Sequence, residues 1–122
     1  MLKGKTVWVV EPERFSAYAL ERRLRDLCAK RVVLMTDAET LQARLADAGE
    51  GDDAPSIAII DCMERPEGGR DAAEALRARD VAVVCTVDTA RDCDAAGPDD
   101  VPKPYAMVDV ERAIARHYGL TI

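Results

Sequence analysis

Sites built from cysteine and histidine are poorly supported by this sequence. The four cysteines form no C-x-x-C pair, and the single histidine, His117, lies far from all of them. This spacing argues against a zinc site and against a redox motif. Reduced thiols, as in cytoplasmic proteins, are the simplest interpretation. Cys62 and Cys85 fall within apolar runs and are expected to act as small core residues.

Basic charge and long apolar runs are also scarce. There are 17 Lys and Arg against 23 Asp and Glu, a net charge of −6, which argues against a nucleic-acid partner because nucleic acids select a basic surface. The polar start of the chain and the short apolar run after it predict neither a signal peptide nor a membrane span. No glycine-rich loop follows that run, which disfavours a nucleotide-binding enzyme. We therefore expect a cytoplasmic protein that does not associate with membranes.

Aliphatic residues must supply most of the core. Hydrophobic residues make up 48% of the chain but aromatic residues only 4%. A length of 122 residues suits one domain spanning residues 1–122. The chain ends shortly after the last of five structural units, so no attached output domain is expected.

Short apolar segments rich in β-branched residues alternate with helical patterns. The predicted strands are 6–10, 31–35, 56–60, 81–85 and a short one near Val101. The predicted helices are 14–27, one that begins near Thr36, 71–79 and 107–118, with a weak segment at 89–96. Strands that are apolar throughout favour a parallel sheet covered on both faces. Right-handed crossovers then predict a doubly wound, three-layer α/β/α sandwich.

Local signals mark some helix ends and faces. Thr36 is predicted as an N-cap, with Glu39 completing a capping box. Phe15 and Tyr18 are counted among the apolar positions of the first helix. The stretch 64–69, which contains a proline and paired glycines, is predicted as a loop. Each of these assignments follows from local sequence alone.

Polar residues follow four of the predicted strands: Glu11, Asp61, Thr86 and Lys103. Ligands of open parallel sheets bind beyond the carboxyl ends of the strands, so we expect these side chains to converge. A carboxylate can attack phosphorus and hold an acyl phosphate. Mg²⁺ would offset the negative charge of two carboxylates and a phosphoryl group. The lysine and the threonine would contact phosphoryl oxygens.

Each of these residues also has an ordinary structural explanation. An aspartate after a strand is often a helix cap or a turn residue, and Glu11 could simply favour the start of a helix through its dipole. A threonine at a strand end or a lysine before a proline is usually unremarkable. The joint pattern, in this order on five α/β units, is what indicates phosphoryl chemistry.

The sequence resembles the receiver domains of bacterial response regulators over nearly its whole length. The matching motifs are Val9-Val10-Glu11, Ile59-Ile60-Asp61, Val84-Cys85-Thr86 and Lys103-Pro104-Tyr105, together with Gly69. The resemblance implies a flavodoxin-like sheet of five parallel strands in the order 2-1-3-4-5.

The resemblance also implies a role for each residue of the site. Asp61 would be the phosphoacceptor and Thr86 the switch hydroxyl, and Lys103 would contact the phosphoryl group. Glu11, Asp61 and the backbone carbonyl of Met63 would bind Mg²⁺. The peptide bond after Lys103 would be cis.

The implied function is that of a single-domain response regulator in a phosphorelay, as a monomer or weak dimer. The phosphoryl donor and partner would be a sensor histidine kinase or a phosphotransfer protein. Such a protein is not an enzyme beyond possible self-dephosphorylation.

Three features depart from the receiver pattern. Pro12 stands where receivers usually have a second acidic residue, so Mg²⁺ binding is expected to be weak unless Glu13 compensates through a shifted loop. The segment between Thr86 and Lys103 is several residues short, which predicts a reduced or irregular helix there. Asp100 replaces the family's switch aromatic, so a threonine-to-aromatic relay is not expected in its usual form.

Two alternatives stay open at this point. A pseudo-receiver would keep the fold as an interaction module without metal-dependent phosphorylation. An aspartyl-nucleophile hydrolase would need a second aspartate two residues after Asp61, where Met63 stands. A phosphate adduct and its dependence on Asp61 would separate the first alternative from the regulator, and turnover of a phosphomonoester would favour the second.

Overall fold

The structure is a computed structural model of the chain, and it describes residues 2–48, 54–62, 66–88, 100–103 and 107–117. The strands are β1 Thr6–Val10, β2 Arg31–Met35, β3 Ile57–Asp61, β4 Ala82–Asp88 and β5 Asp100–Lys103. The helices are α1 Arg14–Asp26, α2 Ala38–Ala48, α3 Pro66–Arg77 and, in our numbering, α4 Met107–His117. The weak segment 89–96 lies outside the described residues.

The five strands form one parallel sheet in the order β2-β1-β3-β4-β5. The chain moves from β1 outward to β2 and then crosses back to β3 on the other side of β1. Strand order therefore reverses between β1 and β3, and a crevice is expected beyond their carboxyl ends. The expected doubly wound, flavodoxin-like topology is confirmed.

Helices cover both faces of the sheet. One core cluster joins α1 and α4 to the sheet; its largest members include Leu20, Leu24, Ile57, Ile59 and Ile114. The other joins α2 and α3 to the opposite face; its members include Trp8, Leu41, Leu45, Ile60 and Leu76. Every residue of β1 and β3 is buried, which confirms the prediction of strands covered on both sides. None of the described helices is long and apolar enough to cross a membrane.

Helix α1 is amphipathic, but its inner face differs from the prediction. Ala17, Leu20 and Leu24 are buried, whereas Phe15 is 81% and Tyr18 56% exposed. Phe15 and Tyr18, which were expected among the apolar positions of this helix, therefore lie outside its inner face, and the small Ala17 occupies the inner position of that turn.

The start of α2 also differs from the prediction. The backbone N–H of Thr40 donates to Asp37 Oδ1 at 2.7 Å, and that of Leu41 donates to the Asp37 carbonyl at 3.4 Å. Asp37 is therefore the N-cap, and the predicted box between Thr36 and Glu39 is wrong. Both residue types cap helices well, and the carboxylate adds a favourable interaction with the helix dipole.

Helix α3 begins at Pro66 and not at position 71. Proline is tolerated in the first turn of a helix because its missing N–H needs no partner there. The paired glycines predicted as loop lie inside the helix. A Cβ on Gly69 would stand 2.7 Å from Cys62 Sγ and 3.0 Å from the Asp61 carbonyl oxygen. Glycine at this position lets α3 approach the end of β3 closely.

Gly69→Ala is expected to destabilise the protein despite the better helix propensity of alanine. Overpacking against the fixed backbone of Asp61 costs about 1–3 kcal/mol. The matched control is Gly68→Ala in the same turn, at a half-buried position, which we expect to stabilise the protein by about 0.5–1 kcal/mol. Urea unfolding of both variants measures the difference. Equal effects of the two substitutions would contradict the close approach of α3 to β3.

Candidate functional site

Two carboxylates follow neighbouring strands at the crevice. Asp61 is the last residue of β3, and Glu11 comes directly after β1. The register pairs Val10 with Ile60, so the two acidic residues come one position beyond the same pair. Both residues are buried, with 3% of Glu11 and 8% of Asp61 exposed. The structure therefore brings these two predicted site residues to the same edge of the sheet.

Thr86 lies beside Asp61 on the other side. Strand β4 extends past the predicted end, and Thr86 is paired with Asp61 in β3 and with Val101 in β5. The backbone N–H of Cys62 donates to the Thr86 carbonyl at 2.8 Å, which fixes this register. Thr86 is only 2% exposed, and its Oγ1 has no hydrogen-bond partner within the described part of the chain. A buried hydroxyl in that state is destabilising by about 1–3 kcal/mol, and a ligand oxygen would satisfy it.

Lys103 is the last residue of β5, and its backbone pairs with Asp88 of β4. It therefore lies at the same edge of the sheet, two positions beyond the pair of Thr86 and Val101. Pro102 is compatible with this strand because β5 is at the edge of the sheet. The carbonyl of Met63 and the bond from Lys103 to Pro104 lie outside the described residues, and both assignments stay predictions.

A cleft of about 210 Å³ opens beside Asp61. Its walls come from the carboxyl ends of β1, β2 and β3: Val10, Pro12, Thr36, Asp37, Ala38, Glu39 and Asp61. Asp37 and Glu39 were not among the predicted site residues. Applying the same strand-end rule to β2, the neighbour of β1 in the sheet, would have found Thr36, which also lines the cleft and precedes Asp37.

Glu13, which was considered as a compensating Mg²⁺ ligand, caps a helix in this structure. Its side chain accepts the backbone N–H of Phe15 at 3.0 Å and that of Ser16 at 2.7 Å, which makes Glu13 the N-cap of α1. Its own N–H donates to Glu11 Oε2 at 3.2 Å. The turn from β1 into α1 therefore uses both glutamates for backbone hydrogen bonding.

The described residues do not complete a site for a divalent cation. Glu11 and Asp61 offer the carboxylate oxygens that Mg²⁺ prefers. Within the ranges that the structure describes, however, no three side chains of His, Cys, Asp or Glu are placed so that they could hold one ion. Pro12 adds no ligand, and both Glu13 carboxylate oxygens accept helix N–H groups.

Two buried thiols adjoin the site in sequence. Cys62 follows Asp61 and Cys85 precedes Thr86, and both are fully buried in the same core cluster, which confirms the expected core role. The hydrogen bond to Cys85 and then burial raise the pKa of the Cys62 thiol well above 9.0, its ordinary value. The folded protein keeps this thiol neutral, while the unfolded chain ionises it. Ionisation of this thiol in the unfolded chain therefore lowers the free energy of unfolding as the pH rises above 9.0.

The rate of alkylation should differ between the exposed and the buried cysteines, because it depends on the accessibility and ionisation of each thiol. Iodoacetamide at neutral pH is expected to modify the exposed Cys28 while Cys62 and Cys85 stay unmodified until the protein unfolds, because the thiolate is the reactive form. Peptide mass spectrometry of native and urea-treated samples measures this. Modification of Cys62 at the rate of Cys28 in the native protein would contradict the buried, neutral thiol.

Solved structures share this architecture over nearly the whole chain. A response regulator receiver protein from Sinorhizobium medicae matches with a TM-score of 0.74 and 15% identity, covering 98% of each chain. One from Burkholderia phymatum matches with a TM-score of 0.72 and 18% identity, covering 96% of this chain and 97% of its own. The chain has the fold of response regulator receiver domains.

Another receiver-domain structure supports the same assignment. The receiver domain of nitrogen regulatory protein C has a TM-score of 0.70 and 18% identity, covering 98% of this chain and 97% of its own. Neither a protein-family model nor a curated protein matches the sequence. The receiver fold places Glu11, Asp61, Thr86 and the backbone of Lys103 at one edge of the sheet.

Proposed function

We propose that this receiver-fold protein accepts one phosphoryl group on Asp61 and acts as a response regulator receiver in a phosphorelay. The pairing of Asp61 with Thr86 carries the proposal. It sets a nucleophilic carboxylate on the wall of a cleft, beside a buried hydroxyl that has no partner among the described residues. A phosphoryl oxygen would supply the acceptor that this hydroxyl requires.

The proposed transfer forms a mixed anhydride. An oxygen of the Asp61 carboxylate attacks the phosphorus of a phosphohistidine, forming the O–P bond. The P–N bond breaks, and its electron pair stays on the imidazole nitrogen. The Thr86 hydroxyl would donate to one phosphoryl oxygen, and by the resemblance to receiver domains the ammonium group of Lys103 would offset charge on another. Phosphoryl transfer depends mainly on such positioning and charge stabilisation.

The proposed partner is a sensor histidine kinase or a phosphotransfer protein of the cytoplasm. We propose a phosphoacceptor and not an enzyme that turns over an external substrate. The sequence supports this because Met63 stands two residues after Asp61, and a thioether cannot act as an acid or base. Phosphorylation would bias the protein between two conformations and so change a surface that partners bind.

The choice of donor tests this proposal. The protein is incubated with phosphoramidate, which has a P–N bond, or with ATP, and its intact mass is followed. We expect one phosphoryl group from phosphoramidate, none from ATP, and loss of the group in neutral hydroxylamine, which cleaves acyl phosphates. An adduct that resists hydroxylamine, or catalytic hydrolysis of a phosphomonoester, would contradict the proposal.

A pseudo-receiver is the second candidate, and the turn after β1 favours it. Pro12 lines the cleft where an acidic residue would serve a cation, and Glu13 caps α1. In that case no donor produces an adduct, and Asp61→Asn leaves partner binding unchanged. The intact-mass experiment therefore decides between the two candidates.

A further inference from the structure

We infer that the turn after β1 makes this site a poor binder of divalent cations, and that Pro12→Asp alone converts it into a cation site. The inference depends on the proposed function only for the position of the phosphoryl group. Cation binding can be measured without any phosphoryl donor, so the two proposals can fail separately.

Pro12 lines the cleft but offers no group that could bind a cation. It lines the same cleft as Asp61, and it directly follows the buried Glu11. Its side chain offers neither charge nor an oxygen. A carboxylate at position 12 would therefore add an acidic group next to Glu11 and Asp61, and the affinity of such sites depends on the number of charged ligands.

Glu13 cannot replace that carboxylate without cost to the helix. Its two hydrogen bonds, of 3.0 and 2.7 Å, satisfy N–H groups in the first turn of α1. Turning the side chain towards the cleft would leave both donors without this acceptor and would remove a negative charge from the positive end of the helix. The cap therefore holds Glu13 away from a role as ligand.

Asp37 also lines the cleft, and its carboxylate is already hydrogen-bonded. Its Oδ1 accepts the backbone N–H of Thr40 at 2.7 Å and the Thr40 hydroxyl at 2.6 Å. Its carboxylate therefore caps α2 as that of Glu13 caps α1. Three acidic residues line the cleft, Asp37, Glu39 and Asp61, and of these Asp37 is used to start a helix.

Isothermal titration calorimetry with Mg²⁺ alone, without any phosphoryl donor, tests the inference. Pro12→Asp is expected to bind Mg²⁺ about tenfold or more tightly than the wild type. Adding Asp61→Asn to this variant should remove the gain, which places the ion at the cleft. Pro12→Ala is the matched control, because it removes the ring without adding a carboxylate, and it should bind as the wild type does.

Glu13→Gln provides an independent measurement on the otherwise native chain. We expect a lower Tm with Mg²⁺ affinity unchanged, because the residue caps α1. A clear loss of affinity in Glu13→Gln would make Glu13 a ligand and would overturn the inference. Equal affinities of wild type and Pro12→Asp, or an equal gain in Pro12→Ala, would also overturn it. Absence of an Asp61 phosphate together with a gain in Pro12→Asp would contradict only the proposed function.

Discussion

Asp61→Asn is expected to abolish phosphoryl incorporation from phosphoramidate. The amide has no anionic oxygen that can attack phosphorus, while its size and shape stay nearly the same. Asp61 is buried at the end of β3, and because the amide is nearly isosteric with the carboxylate, the substitution should leave the fold intact. Intact mass spectrometry after incubation with the donor measures the incorporation, and circular dichroism checks the fold.

Asp71→Asn is the matched control for this substitution. Asp71 is an exposed residue of α3 and lies outside the crevice. We expect the control to incorporate one phosphoryl group at the wild-type rate. Persistence of the adduct in Asp61→Asn would contradict Asp61 as the phosphoacceptor, whatever the control shows.

Thr86→Val should change stability and transfer in opposite directions. Replacing the buried hydroxyl, which has no partner among the described residues, by a methyl group of similar size should raise the free energy of unfolding by about 1–3 kcal/mol. The same change removes a donor to the transferring phosphoryl group. It should therefore slow adduct formation on the order of a hundredfold. Urea unfolding and the time course of intact mass measure the two effects.

Two further variants separate a role in transfer from a role in packing. Thr86→Ser keeps the hydroxyl and should restore most of the transfer rate. Thr6→Val changes a buried threonine at the other end of β1 and should leave the rate unchanged. If Thr86→Val accepts the phosphoryl group as fast as the wild type, the hydroxyl does not contact that group.

The sheet could be predicted from the sequence because its strands carry strong and redundant signals. The segments 6–10 and 31–35 are rich in β-branched and apolar residues, and the structure has both strands with these bounds. Burial on both faces requires such composition in a parallel sheet. The positions of Glu11 and Asp61 at the carboxyl edge then follow from the topology alone.

Helix starts could not be predicted as well, because adjacent residues compete for the same role. Thr36 and Asp37 are both good caps, and only the observed hydrogen bond to Thr40 decides for Asp37. Helix α3 begins at Pro66, and within its first turns Gly69 packs closely against Cys62. That contact is between α3 and the end of β3, and the distance between them cannot be inferred from the sequence.

The role of Glu13 likewise could not be decided from the sequence. Its type and position suit both a metal ligand and a helix cap, and the sequence left both possible. The two hydrogen bonds to Phe15 and Ser16 make it a cap. Thr86 Oγ1 has no partner among the residues that the structure describes, and this likewise depends on its burial between β3 and β5, which a linear pattern does not give.

Phosphoryl acceptance by this protein requires an acyl phosphate on one particular side chain. Borohydride reduces an aspartyl phosphate to homoserine, so peptide mass spectrometry after incubation with phosphoramidate identifies the residue that carried it. We predict homoserine at position 61. A reduced residue at any other position, or an adduct that survives borohydride unchanged, would contradict phosphoryl acceptance by Asp61.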